Sequence, residues 1–207
     1  MELRIDRLTC VQRQQVLFKP ISFSLREGQI LLLHGPNGVG KTTCLRTLAG
    51  LLTPAHDKIY WQNQLLKPYR PDYLSQIVYL AHHSGIKGVL TAPENIAQQL
   101  ILADHSADAQ AINKALLRVG LQRFTHTSCS QLSSGQQRRV NLARLLLLNV
   151  PLWILDEPLT SLDKQGMQLM HELLLEHQQR GGSTILTSHQ HLQMATETVE
   201  LEPWHSC

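Results

Sequence analysis

The chain has 207 residues, 43% of them hydrophobic, and a formal charge of +3 from 19 basic and 16 acidic side chains. That length suits one well-buried domain, at most with a subdomain inserted into it, and argues against two independent domains. The scattered basic residues leave no footprint for a nucleic-acid partner, and the far-apart cysteines, Cys10, Cys44, Cys129 and Cys207, suit a reducing cytoplasm better than a disulfide framework or zinc site.

The opening Met1-Glu2-Leu3-Arg4-Ile5-Asp6-Arg7 places charges where a signal peptide needs an apolar run. Residues 2–8 and 16–25 alternate apolar with polar, which predicts two strands with one solvated face, and Glu27-Gly28 turns the chain into a buried strand at 29–34. Next comes Gly35-Pro36-Asn37-Gly38-Val39-Gly40-Lys41-Thr42-Thr43, which fits the G-x-x-x-x-G-K-[ST] phosphate loop in the strand-then-helix context that pattern requires. Glycines let such a loop turn its backbone N–H groups toward phosphate oxygens, and the following helix adds the positive end of its dipole. Lys41 is expected to pair with the β- and γ-phosphates of ATP, and the Thr42 hydroxyl to hold Mg²⁺.

Leu45, Leu48, Ala49 and Leu52 share a helical face after the loop, with Gly50 near the helix end. Residues 58–62 and 76–80 are further strand candidates. From 84 to 149 the pattern turns helical: Thr91-Ala92-Pro93-Glu94 starts one helix, Ser106 is the expected N-cap of a second whose Ile112, Ala115, Leu116 and Val119 share a face, and a third runs over 135–148. The longest uncharged apolar stretch, 145–155, is broken by Asn149 and Pro151 and is too short to span a bilayer, so any membrane role is expected through a partner.

Leu152-Trp153-Ile154-Leu155 reads as a parallel strand buried on both faces and ends in Asp156-Glu157-Pro158. Ligands bind at the carboxyl ends of such strands, so Asp156 is the expected Mg²⁺ partner beside Thr42 and Glu157 the general base for an attacking water. Pro158 is expected to keep Glu157 out of helical geometry.

Leu132-Ser133-Ser134-Gly135-Gln136-Gln137-Arg138 resembles the L-S-G-G-Q signature of the ATP-binding cassette (ABC) ATPases. Asp156-Glu157-Pro158 is similar to their Walker B segment with its catalytic glutamate, Ser161-Leu162-Asp163 to their D-loop, and His189 to their switch histidine. The resemblance covers nearly the whole chain. It implies an α/β fold, a P-loop NTPase core with an antiparallel β-layer and an inserted helical subdomain, in one ABC ATP-binding domain over 1–207 (core 1–83 and 150–207, helical subdomain 84–149). It also implies an ATPase whose nucleotide sits between two copies: the phosphate loop of one and Ser133, Ser134, Gly135 and Gln136 of the other, with Asp163 nearby. Ser134 stands where the family usually has glycine, an added side chain at a tight approach.

Two further departures concern the nucleotide. Where most of the family has a glutamine touching Mg²⁺, this chain has His82, expected to act as a neutral imidazole, with His83 beside it. Where many cassettes stack adenine on an aromatic, it has Val11, Gln12, Arg13 and Gln14, of which Arg13 could stack through its guanidinium or simply be solvated. The segment His82-His83-Ser84-Gly85-Ile86-Lys87 with Leu90-Thr91-Ala92-Pro93-Glu94-Asn95-Ile96 is similar to the ATPase subunits of bacterial cytochrome c maturation. That likeness implies membrane subunits of the CcmB, CcmC and CcmD type, a peripheral position on the cytoplasmic face of the inner membrane, and an indirect partner in the haem chaperone CcmE, whose haem-loaded form ATP hydrolysis releases. The alternatives are an ABC ATPase for another small-molecule importer or exporter, and a nucleotide-gated binding module with weak hydrolysis, against which Glu157 argues.

Overall fold

Strand β1 (Glu2–Leu8) buries Leu3 and Ile5 by strict alternation, and a bulge at Arg7, with φ +58°, then turns Leu8 inward as well. The computed structural model describes residues 2–53, 58–66, 71–82, 85–190, 192, 194 and 196–204, so His83 and Cys207 lie outside the described residues. After β1 come β2 (Val11–Gln12), β3 (Gln15–Val16), β4 (Ile21–Arg26), β5 (Ile30–His34), α1 (Lys41–Leu48), β6 (Lys58–Trp61), β7 (Gln64–Leu65), α2 (Pro71–Leu74) and β8 (Ile77–Leu80). Helices α3 (Ala92–Leu102), α4 (Ala109–Arg118) and α5 (Ser134–Leu147) follow, then β9 (Leu152–Leu155), α6 (Lys164–Gln179), β10 (Ser183–Leu186) and β11 (Glu197–Glu200).

Two compact units emerge. The first comprises 1–79, 150–158 and 174–207; the second comprises 80–149 and 159–173, so the helical segment 84–149 is joined there by residues that follow the Asp156-Glu157 pair. In the first unit, β4-β1-β6-β7 form an antiparallel sheet and β11-β5-β10-β9-β8 a second sheet whose pairings of β5 with β10 and β11, and of β9 with β10, are parallel. Leu3, Ile5 and Leu25 of the antiparallel layer share one core with Leu31, Leu33, Leu45, Ile154 and Ile185. Helix α1 stops as its sequence predicts: the N–H groups of Gly50 and Leu51 donate to the Thr47 and Arg46 carbonyls, the two bonds of a Schellman cap.

In the second unit α3, α4 and α5 pack on one another. Helix α3 carries the Thr91–Glu94 capping box with Pro93 in its first turn.

Two local expectations are corrected. The single strand over 16–25 is divided, because Pro20 offers no N–H and Phe18 turns fully inward to bridge Pro203. The cap of α4 is Asp108, whose carboxylate accepts from Ala111 N–H at 2.6 Å, in place of Ser106.

Candidate functional site

The phosphate loop leaves β5 at His34 and enters α1 through Gly40, whose φ is +110°. Two of its glycines are dictated by crowding: a Cβ on Gly35 would lie 2.7 Å from the Leu201 carbonyl oxygen, and one on Gly40 would lie 2.8 Å from Leu17 Cδ1. Leu17 and Leu201 are themselves tied together, since Trp204 N–H donates to the Leu17 carbonyl at 3.1 Å and Lys19 N–H to the Glu202 carbonyl at 2.9 Å. The segment at 201–204 therefore backs the loop. The first helical bond of α1 runs from Cys44 N–H to the Gly40 carbonyl at 2.8 Å, which leaves the N–H groups of Lys41, Thr42 and Thr43 without intrahelical acceptors. Pro36, Asn37 and Gly38 are exposed while Val39 is buried beneath them. The Lys41 ammonium lies along the loop, donating to the Gly35 carbonyl at 2.7 Å and the Pro36 carbonyl at 3.3 Å.

Strand β9 is buried at all four positions and delivers Asp156, 1% exposed, to the end of the parallel sheet. Its carboxylate accepts from the Thr42 hydroxyl at 2.8 Å through one oxygen and from the Thr187 hydroxyl at 2.9 Å through the other. The Thr187 oxygen in turn accepts the Glu157 N–H at 2.9 Å. Glu157 sits at φ +49°, in the left-handed region, so it leaves helical geometry on the opposite side of the map from the extended form that a following proline favours. Holding a non-glycine residue there costs on the order of 1–3 kcal/mol, which the Thr187 bond helps to offset. The Glu157 carboxylate accepts from His189 N–H at 3.3 Å and faces His189 Nε2 at 3.4 Å; the histidine is half exposed.

Thr42 and Asp156 supply hard oxygen atoms of the kind Mg²⁺ prefers. Among the described residues no group of three or more His, Cys, Asp or Glu converges, so such an ion would complete its shell with phosphate and water oxygens.

The second unit holds the other predicted residues. Ser133 caps α5, its hydroxyl accepting from Gln136 N–H at 3.2 Å while the Gln136 side chain accepts from Ser133 N–H at 2.9 Å. Ser134 is exposed. A Cβ on Gly135 would meet the Ser161 carbonyl oxygen at 2.8 Å, so this glycine is required for a close approach inside the chain. Asp163 caps α6 by accepting from Gly166 N–H at 2.8 Å and pairs with Arg139 at 2.6 Å; these two partners, the backbone one foremost, hold its carboxyl below the usual range. His82 is exposed, and its carbonyl accepts from Arg138 at 3.4 Å. Arg13 and Gln14, with φ +49° and +65°, form the two-residue turn of the exposed β2–β3 hairpin.

Thus Thr42, Asp156, Glu157 and His189 come together in the first unit, and Ser133–Gln136 with Asp163 in the second. Sequence reasoning missed Thr187 and Arg139. Thr187 was findable as a hydroxyl between a buried strand and His189.

A family model described as ABC transporter matches residues 18–160. A cytochrome c biogenesis ATP-binding export protein CcmA from Aliivibrio fischeri is 45% identical over 92% of this chain and 93% of its own length. Among solved structures, a putative ABC transporter ATP-binding protein from Pyrococcus furiosus superposes with a TM-score of 0.84 at 24% identity, covering 97% of this chain and 98% of that one. A dimeric ATP-binding cassette in a post-hydrolysis state with ADP and Pi superposes at 0.75 with 26% identity, over 91% and 88%. With the family model spanning more than half of the chain and the Aliivibrio fischeri relative aligned over nearly all of it, the chain belongs to the ABC transporter ATP-binding family, alongside the CcmA proteins.

Proposed function

We propose that this ATPase is the energy-supplying subunit of a bacterial membrane complex for cytochrome c biogenesis, seated on the cytoplasmic face of the inner membrane through subunits of the CcmB, CcmC and CcmD type and acting indirectly on haem-loaded CcmE. The assignment to that system follows the CcmA likeness over 92% of the chain. It also agrees with a described structure in which no helix is long and apolar enough to cross a membrane.

The catalytic reading rests on one observation, the chain of bonds Thr42–Asp156–Thr187–Glu157 N–H with His189 against the Glu157 carboxylate. The loop N–H groups of 38–43 and the Lys41 ammonium bind the phosphates of ATP, with Gly35 and Pro36 setting the loop's entry. Thr42 and Asp156 hold Mg²⁺, which when bound neutralises charge building on the phosphates. Glu157 takes the proton of the attacking water, and His189 holds that carboxylate in place. Ser133, Ser134, Gly135 and Gln136 close on the nucleotide of a second copy, as the dimeric relative supports, and His82 takes the role the family gives to glutamine.

Glu157→Gln keeps the shape of the side chain and loses the base. The expected outcome is ATP binding with an ATP-trapped dimer and turnover reduced by about a hundredfold or more. Native-membrane pull-down of a tagged chain, with a count of haem-loaded c-type cytochromes in cells carrying the variant, tests the wider assignment. Wild-type hydrolysis by Glu157→Gln with its membrane partners, or normal cytochrome c maturation without this chain, would overturn the respective half.

A further inference from the structure

Arg139 lies one turn along α5 from Gly135 and is 16% exposed, although it carries a full charge. Its guanidinium forks. One nitrogen donates to the Asp163 carboxylate at 2.6 Å and the other to the Val119 carbonyl, at the end of α4, at 3.2 Å. Asp163 is 65% exposed, and the same carboxylate oxygen that accepts from Arg139 also accepts the Gly166 N–H. Beside this pair the Ser161 carbonyl rests against Gly135 so closely that a methyl group would not fit, and Ser161 itself has φ +66°. The loop at 161–163 is therefore clamped to the first turn of α5 at two points, one steric and one ionic. The two segments line one cleft of about 520 Å³, with Ser133, Ser134, Gln136, Arg139 and Asp163 on its wall.

We propose that Arg139 is a positioning residue for ATP hydrolysis: it locks the 161–163 loop onto the signature turn, so that both meet a second copy's nucleotide as one preassembled surface. The inference rests on the reading that a second copy's nucleotide closes here. Exposed single-point ion pairs contribute little, but a planar fork with a buried stem fixes direction as well as distance, which a lysine cannot do. Preassembly matters because any disorder in the loop would have to be removed each time two copies close.

Two measurements test this on the full-length chain. Hydrogen exchange should speed up at least tenfold over 160–163 in both Arg139→Ala and Asp163→Ser, with protection at 38–44 unchanged. Asp163→Ser keeps a helix-capping oxygen for Gly166 but is too short to reach Arg139, so it serves even if Arg139→Ala folds poorly. In the Glu157→Gln background, each substitution should raise the dissociation constant of the ATP-bound dimer at least fivefold, the double variant should be no weaker than the worse single one, and Arg139→Lys should recover only part of the loss. Additive effects, or unchanged exchange and dimerisation, would overturn the proposal while leaving the second-copy reading intact. Failure of Glu157→Gln with an intact Arg139 to dimerise on ATP would overturn that reading, and this proposal with it.

Discussion

Thr187 uses its single hydroxyl twice, donating to a buried carboxylate and accepting the N–H of the residue that carries the proposed base. Thr187→Val keeps the shape and removes both bonds, one of them to a buried carboxylate, at about 1–3 kcal/mol. ATPase turnover is expected to fall about ten- to a hundredfold as Glu157 loses its anchor, and Thr187→Ser should restore most of it. Parallel ATPase and thermal-melt measurements on the two variants check this; equal turnover in both would remove Thr187 from the site. The nucleotide base is a second residue-scale case. The side chains at 11–14, the expected stacking position, belong to an exposed hairpin without an aromatic ring, so GTP should bind within about tenfold of ATP. A hundredfold preference in competition binding would contradict this. The carboxylates and the loop were legible because their residue types are rare in that order. Thr187 and Arg139 were not, because a threonine after a strand and an arginine on a helix acquire their meaning only from partners 31 and 24 residues away.

At the scale of elements, α6 and β10 are joined through a buried histidine. His177 stacks on Trp153 with ring centroids 3.9 Å apart and 7° between planes, and its Nε2 lies 3.2 Å from the Ser183 carbonyl, to which it must donate. Burial, outweighing that carbonyl, pushes its pKa from 6.5 down to about 4. The unfolded chain thus binds a proton in the window between 6.5 and about 4 that the folded chain refuses, and stability falls as pH drops through it. The full loss is up to about 3 kcal/mol. Urea denaturation across that range should show the decline, and His177→Phe should flatten it; an unchanged slope in the variant would assign the acid sensitivity elsewhere. Most elements were readable, since Leu152-Trp153-Ile154-Leu155 is an unbroken apolar run and the Ile112 face keeps a helical period. Strand β11 was not: as an edge strand it is buried poorly, and Glu197-Thr198-Val199-Glu200 carries no apolar run. The continuous strand over 16–25 failed for the opposite reason, as alternation persists across Pro20 although the ladder cannot.

For the whole molecule, the two groups of site residues fall in different units, and the proposed chemistry draws one group from each of two copies. A single chain should then bind ATP and hydrolyse it poorly. Specific ATPase activity of the isolated chain is expected to climb with protein concentration until dimers saturate, and to become independent of it once membrane subunits hold two copies together. A flat profile over a hundredfold dilution of the isolated chain would count against the shared site. On the same complex, His82→Gln should retain most turnover and His82→Ala should lose it.

The segment at 201–204, which backs the phosphate loop through Leu17 and Gly35, also carries Trp204. The protein's other two tryptophans, Trp61 and Trp153, are each 4% exposed, while Trp204 is 47% exposed. Collisional quenching by acrylamide will therefore sample Trp204 almost alone, and its backbone is bonded to the residue that packs on Gly40. The chain contains its own optical reporter: filling the nucleotide cradle should change how readily that one indole is quenched, and an unlabelled titration can follow it.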